Sequence, residues 1–282
     1  MNDRRNLSGL LLSAVIALSA DGQRVWSPQG PGPNTLGQVE NIPELEVAGA
    51  IQSIATHPAD ARTIYVGAVN GGIWKTTNAL CAQPQWKELL GLNRSLSIGA
   101  IAFDPTDTTH KTLIAGTGRF SSFLEIGGER EGVFRTTDAG ATWTLIDGGG
   151  ALRGLNISGV AARGNTLVVS VNDANSMADN GIWRTTSITG TWTRISGLTG
   201  SGLPTGRSFD LAVDPANSAR LFTNAGGAGI FRSTNSGATW NKVSTAAMDA
   251  LVQLSNNVKI SIGLCLMALV FAKLLGMNLP LY

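Results

Sequence analysis

The stretch GVFRTTDAGATWTLI, residues 132–146, decides the fold. It opens with an alternating run over 133–136, in which every second side chain lies on the same face of a strand. Asp138 and Gly140 follow, and they favour a tight hairpin because Asp bonds nearby backbone amides and Gly accepts a positive φ. A second apolar run begins at Trp143. The stretch therefore predicts two antiparallel strands joined by a hairpin.

The same aromatic-centred strand recurs four times along the chain. Its aromatic residues are Trp74, Phe134, Trp183 and Phe231. The intervals between them are 60, 49 and 48 residues, and the longest contains an insertion at 118–131. Two further short apolar runs precede each copy, and a run that begins at a Trp follows it. Each repeat therefore holds four strands. Repeats of about 50 residues with four strands are typical of β-propeller blades.

We therefore predict an all-β propeller of four-stranded antiparallel blades. The array holds about four blades plus the start of a fifth, as an incomplete ring with a helical C-terminal tail. The expected divisions are a signal peptide at 1–20, an extended lead-in at 21–50, propeller repeats at 51–259 with blades at about 51–90, 97–146, 156–195 and 208–243, and an apolar tail at 260–282.

The two ends of the chain differ in character from the repeats. Arg4 and Arg5 precede an apolar stretch, which predicts export, with a retained helix or membrane anchor as the alternative. At the other end, the uncharged run 260–272 is shorter than the roughly 20 residues of a membrane helix. The tail is interpreted as a marginal membrane anchor, a buried helix or a non-native tail. In the last case the native reading frame would be lost near Gly263, and the chain would be the front part of a longer propeller.

Composition excludes several function classes. Hydrophobic residues make up 43% of the chain, charged residues 14%, and the net charge is +2. Basic residues are scattered, so no nucleic-acid partner is predicted. With two cysteines and two histidines, we expect no disulfide framework, no metal site and no cofactor.

The hairpin carries the repeated pattern S/T-x-D-x-G-x-T-W, which resembles the Asp-box, or BNR, repeat. It is complete in the second unit, has Asn in place of Asp in the fourth, is degenerate in the third and is interrupted by an insertion in the first. We expect structural turns at Thr136, Asp138, Gly140, Thr142, Trp143, Ser233, Asn235, Gly237, Thr239, Trp240, Trp192 and Trp86.

Together with the lead-in WSPQGP at 26–31, these repeats make the chain similar to the sortilin and BNR-type propeller superfamily. That group includes sialidases, xyloglucan-hydrolysing propellers, sortilin-type receptors and a photosystem assembly factor. The resemblance implies a Tyr nucleophile in sialidases, but Tyr65 lies in an apolar strand and Tyr282 is the last residue. It also implies a catalytic Asp before a Gly-Gly pair in xyloglucan-hydrolysing relatives. This chain has Asn70 at that position.

Function is therefore predicted as a non-catalytic, exported binding module for a protein or carbohydrate ligand, with no catalytic residue set. A divergent glycoside hydrolase is the alternative, and assembly of a membrane complex, with membrane contact through 260–282, is the second alternative. Candidate ligand-loop residues form the charged cluster of the second-blade insertion: Glu125, Glu129, Arg130 and Glu131.

Other carboxylates in the sequence are candidates for catalysis or metal binding. A hydrolase would draw on Asp104, Asp210 or Asp214, although two of these stand in Asp-Pro turns that favour a structural role. A calcium site at Asp173, Asn175 and Asp179 lacks the EF-hand spacing, so a solvated loop is expected there.

Overall fold

The computed structural model describes residues 50–90, 95–120 and 127–253. Within them, sixteen strands form four four-stranded sheets, each with its strands in sequence order. All pairings within the sheets are antiparallel. Each sheet is thus a meander, as a propeller blade requires.

The first two sheets contain eight strands. The first sheet is built of β1 (Ala50–Thr56), β2 (Ile64–Val69), β3 (Gly72–Thr76) and β4 (Lys87–Glu88). The second is built of β5 (Ile98–Phe103), β6 (Leu113–Thr117), β7 (Val133–Thr136) and β8 (Thr144–Ile146).

The last two sheets repeat this plan, and a short helix follows them. The third sheet is built of β9 (Ile157–Arg163), β10 (Thr166–Val171), β11 (Gly181–Thr185) and β12 (Thr193–Arg194). The fourth is built of β13 (Ser208–Asp214), β14 (Asn217–Ala225), β15 (Gly229–Ser233) and β16 (Asn241–Lys242), before helix α1 (Ala246–Gln253). The predicted helical tail at 260–282 lies outside the described residues.

Neighbouring sheets pack face to face, and each junction has its own hydrophobic core. The first junction buries Tyr65 with Phe134, and the second buries Val133 with Trp192. The third buries Phe231. Adjacent residues of β7 thus enter different cores, because side chains alternate across a strand.

Glycines in the second strands allow the next sheet to approach closely. A Cβ at Gly67 would lie 2.4 Å from Cγ2 of Ile98, and one at Gly116 would lie 2.4 Å from Cγ2 of Ile157. Both isoleucines stand in the innermost strand of the following sheet. These two contacts need a residue without a side chain, whereas the third and fourth blades have Ser170 and Asn224 at the equivalent position.

The four sheets form an open row. Strand β5 packs on β1 and on β9, and β9 packs on β13, whereas no comparable packing joins β13 to β1 in the described part of the chain. Ile51 and Ile54 of β1 are 57% and 62% exposed. The predicted all-β propeller of about four blades in an incomplete ring is therefore confirmed.

In the described ranges, helices are too short to cross a bilayer.

Candidate functional site

The loops of the four blades divide between two ends of the molecule. In each meander, the turn after the first strand and the hairpin between the third and fourth strands share one end. The loop between the second and third strands lies at the opposite end. We call these the hairpin end and the loop end.

At the hairpin end, Asp138 holds the hairpin of the second blade together. Its carboxylate accepts hydrogen bonds from Oγ1 of Thr136 at 2.7 Å, and from the backbone N and Oγ1 of Thr142 at 2.9 and 2.6 Å. Ala139 and Gly140 turn the chain with φ of 60° and 91°. The bonds from Thr142 lower the pKa of Asp138 to about 2, because they stabilise the ionised form. The carboxylate is therefore engaged within the turn.

The fourth-blade hairpin keeps this geometry with an amide. Oδ1 of Asn235 accepts from Oγ of Ser233 and from the backbone N of Thr239, both at 2.9 Å. Its Nδ2 donates to Oγ1 of Thr239 at 2.9 Å, so the amide reverses the direction of the bond that the Asp makes. The backbone N of Gly237 donates to Oγ of Ser233 at 2.9 Å, and Nε1 of Trp240 donates to the carbonyl of Gly237 at 3.0 Å.

The first-blade hairpin keeps part of the pattern across its insertion. Oδ1 of Asn78 accepts from Oγ1 of Thr76 and from the backbone N of Gln85, both at 2.8 Å. Asn78 thus takes the place of Asp138, and Gln85 that of Thr142. The sequence signal for this turn is the Thr-x-Asn spacing of Thr76 and Asn78. Trp86 follows, half-buried.

The third-blade hairpin differs from those of the second and fourth blades. Its backbone shows no positive φ from Ser187 to Gly190. Oγ1 of Thr185 donates to the carbonyl of Ser187 at 2.8 Å instead of bonding a side chain at that position. Trp192 still packs inward and is 6% exposed.

At the loop end, Asn70 joins the first two blades. It has a φ of 61°, and its Oδ1 accepts from Oγ of Ser97 at 2.6 Å and from the backbone N of Gly128 at 3.1 Å. Ser97 is fully buried. The position at which xyloglucan-hydrolysing relatives are expected to carry a carboxylate is thus an amide that accepts two hydrogen bonds.

The insertion of the second blade reaches the third blade through a buried ion pair. Nη1 of Arg130 lies 2.5 Å from Oδ2 of Asp173, whose side chain is fully buried. The same Oδ2 accepts from the backbone N of Asn156 at 3.1 Å. Because buried carboxylates need such partners, Asp173 is a connector between blades rather than part of a solvated loop.

The other candidate ligand-loop residues have different surroundings. Oε2 of Glu131 accepts from the backbone N of Ser95 at 3.0 Å, whereas Glu129 is exposed. Glu125 lies outside the described residues. Among the three candidates that the structure describes, Glu129 is the most exposed to solvent.

The carboxylates considered for hydrolysis are held in structural contacts. Asp104 is 2% exposed and accepts from Thr106 and from the backbone N of Gly164 in the next blade. Asp214 pairs with Nη1 of Arg220 at 2.7 Å. Both end the first strand of a blade, so they lie at the hairpin end. Asp210 stands within β13, and its Oδ1 accepts from the backbone N of Leu211 at 2.8 Å.

Sequence reasoning missed the polar residues that precede the innermost strands. Ser97 comes directly before β5 and Asn156 directly before β9, and both are fully buried. Oδ1 of Asn156 accepts from the backbone N of Arg119 at 2.9 Å. In the sequence, a polar residue stands directly before the first apolar residue of both strands, and that regularity is the available signal.

No cluster of three or more His, Cys, Asp or Glu side chains suited to a metal occurs in the described ranges. Asp179, one of the calcium candidates, accepts a hydrogen bond from Oγ of Ser176.

Comparison with curated proteins finds xyloglucanases. A xyloglucanase of Acetivibrio thermocellus is 26% identical over 217 residues, covering 68% of this chain and 25% of the relative. A xyloglucanase of Hypocrea jecorina is 25% identical over 260 residues, covering 82% of this chain and 29% of the relative. The chain thus spans between a quarter and a third of the length of these relatives. No family model matches the sequence.

Solved structures give weaker likenesses. An ancestral GH74 enzyme aligns with a TM-score of 0.49 and 16% identity, over 79% of this chain and 26% of that one. The GH74 xyloglucanase of Xanthomonas campestris aligns with a TM-score of 0.46 and 20% identity, over 68% of this chain and 29% of that one.

Proposed function

We propose that the protein acts on a xyloglucan-type polysaccharide as a propeller-type glycoside hydrolase, with these four blades as part of its glycan-binding face. The observation that carries this proposal is the sequence likeness to proteins named xyloglucanase, which covers 68–82% of the chain. We therefore prefer a hydrolase to the non-catalytic binding module that the sequence predicted. The proposed ligand is a carbohydrate rather than a protein, and the protein is proposed to be exported.

The loop end is the proposed binding face. Asn70, Ser97 and Gly128 tie the loops of the first two blades together, and Arg130 ties the second blade to the third through Asp173. Loops held in this way present a fixed surface, which lowers the conformational entropy lost when a stiff chain such as a glucan binds. The Asp-box-type turns that three of the blades carry at the hairpin end are proposed to be structural.

Binding without hydrolysis is the second candidate, and Asn70 favours it. Glycoside hydrolysis uses a pair of carboxylates on either side of the bond, and an amide cannot serve as general acid or base at neutral pH. If the protein hydrolyses glycan, its carboxylates come from elsewhere in the chain.

One experiment separates these functions. The full chain is incubated with tamarind xyloglucan, and reducing ends are measured alongside retardation in affinity electrophoresis. Release of reducing ends supports the hydrolase, and retardation without release supports the binding module. Mannan is the control polysaccharide. No retardation and no release with xyloglucan would overturn the glycan proposal.

A further inference from the structure

A groove opens between the second and third blades and follows β8 from the hairpin at 136–142 to residues 147–149. It encloses a cavity of about 310 Å³, at the lower limit of small-molecule sites. We name it the Arg135 groove after the basic residue that lines it. Opposite the second blade, Ile188 and Thr189 of the third-blade hairpin complete its wall.

Arg135 occupies a position that is basic in every blade. In the first blade, Nζ of Lys75 donates to the carbonyl of Ala139 in the second-blade hairpin at 3.4 Å. In the third blade, Nε of Arg184 donates to the carbonyl of Ser236 in the fourth-blade hairpin at 2.8 Å. The third-strand cation of one blade therefore docks on the hairpin of the next.

The acceptor carbonyl has the same origin in both contacts. Ala139 and Ser236 take the same place in the hairpin pattern, and their φ values are 60° and 56°. That left-handed conformation, continued by Gly140 and Gly237, directs the carbonyl toward the preceding blade. Ile188 takes this place in the third blade, and neither it nor Thr189 has a positive φ. Residues with a branched Cβ avoid that conformation, so the acceptor is not formed.

Arg135 is consequently left without the contact that its counterparts make. Its Nε is buried and has no hydrogen-bond partner among the described residues. Asp147 also lines the groove, but it accepts from the backbone N of Gly149 at 3.0 Å and lies 3.7 Å from Arg153. Arg135 therefore lines a cavity instead of donating to a hairpin carbonyl.

We propose that the Arg135 groove binds a hexuronic acid residue of an acidic glycan, whose carboxylate takes the place of the missing hairpin carbonyl. A planar carboxylate matches the guanidinium fork and forms charge-assisted hydrogen bonds with it. The rest of the lining suits a sugar ring, because it combines hydroxyls with apolar surface. Thr137, Thr142, Thr144 and Thr189 are exposed threonines at its edge, and Ile188 is a half-buried apolar side chain.

The experiment titrates the full chain with digalacturonate and follows binding by calorimetry. We expect saturable binding that weakens as salt increases, because screening reduces the attraction between the guanidinium and the carboxylate. Arg135→Gln should weaken binding at least about tenfold, as loss of a charge-assisted bond would. Arg184→Gln is the matched control and should bind as the unmodified chain does, since its guanidinium already has a carbonyl acceptor.

Three results with acidic ligands would overturn the proposal. They are no binding of digalacturonate, equal binding by Arg135→Gln, or tighter binding of a glutamate-rich peptide than of digalacturonate. Neutral cellobiose tests whether the carboxylate is needed, and equal binding of it would also count against the site. The outcome is independent of the proposed function, because Arg135→Gln should leave xyloglucan retardation at the loop end unchanged.

Discussion

The hairpins of the second and third blades differ in four residues and in what they do for the preceding blade. Asp138-Ala139-Gly140-Ala141 forms a turn with two positive φ values and offers a carbonyl to both Tyr65 and Lys75. Ser187-Ile188-Thr189-Gly190 forms a turn without positive φ and leaves a cavity beside Arg135. The difference indicates that the repeated hairpin joins neighbouring blades as well as two strands. Where it degenerates, the junction keeps its hydrophobic core but loses its polar contact.

The largest effect is expected at the Trp that ends the uninterrupted fourth-blade hairpin. Trp240→Ala should lower the free energy of unfolding by about 3–5 kcal/mol, because it removes a side chain that is 2% exposed in the core between the third and fourth blades. Chemical denaturation measures this change. Trp86→Ala should cost clearly less, since Trp86 is half-buried beside the interrupted hairpin. Equal losses would show that the Trp of the interrupted hairpin stabilises the fold as much as the Trp of the uninterrupted one.

The next effect concerns the left-handed turn itself. Gly140→Ala should cost about 2 kcal/mol or more, because Gly140 has a φ of 91° and a Cβ there would lie 2.6 Å from Cδ1 of Leu89. Gly149→Ala separates the two causes, since Gly149 has a φ of 71° but nothing within 4 Å of its Cβ position. We expect about 1 kcal/mol for it, from backbone strain alone. A smaller loss for Gly140→Ala than for Gly149→Ala would contradict the close packing on Leu89.

The smallest effect is a pH dependence that distinguishes the Asp hairpin from the Asn hairpin. The pKa of Asp138 is lowered to about 2 in the folded chain, from an ordinary value near 3.8. A carboxyl whose folded pKa is depressed stabilises the fold above its unfolded pKa and loses that contribution as pH falls toward the folded value. Between about pH 4 and pH 2, Asp138→Asn should therefore show a shallower fall in Tm than the unmodified chain.

Asp60 is the reference for that measurement. Its pKa is also lowered to about 2, chiefly by the hydrogen bond from Arg62, and Asp138→Asn leaves it intact. Part of the acid dependence should consequently remain in the variant. Identical pH profiles of the two chains would show that the Thr142 bonds do not stabilise the ionised form of Asp138.

The fold could be predicted from sequence because its signals are local and repeated. The run at 133–136 and the Asp-Gly turn predicted two strands and a hairpin, and the structure has β7 and β8 there. The recurrence of the aromatic residue then set the number of blades. Domain divisions outside the described residues, including the signal peptide at 1–20, remain predictions.

The polar contacts between blades could not be predicted in the same way. Arg130 and Asp173 are 43 positions apart, and no local pattern pairs them. The Arg135 groove depends on the φ values of residues 188 and 189. It also depends on the absence of a carbonyl that the second- and fourth-blade hairpins supply. Such a site becomes visible only when three junctions of the same kind are compared in space.

A double-mutant cycle tests the claim that the hairpin supplies the acceptor for the preceding blade. The third-blade hairpin is given the sequence of the second by combining Ser187→Asp, Ile188→Ala, Thr189→Gly and Gly190→Ala. The free energy of unfolding is then measured with and without Arg135→Gln. In the unmodified chain, Arg135→Gln should change it by less than about 0.5 kcal/mol, since Nε has no partner to lose.

With the grafted hairpin, Arg135→Gln should cost about 1–2 kcal/mol, as expected when a buried carbonyl loses its donor. Arg184→Gln should cost a similar amount in the unmodified chain, because it breaks the bond to Ser236. We expect a coupling energy of about 1–2 kcal/mol between Arg135 and the graft. A coupling energy of zero would show that the hairpin does not supply the acceptor for the preceding blade.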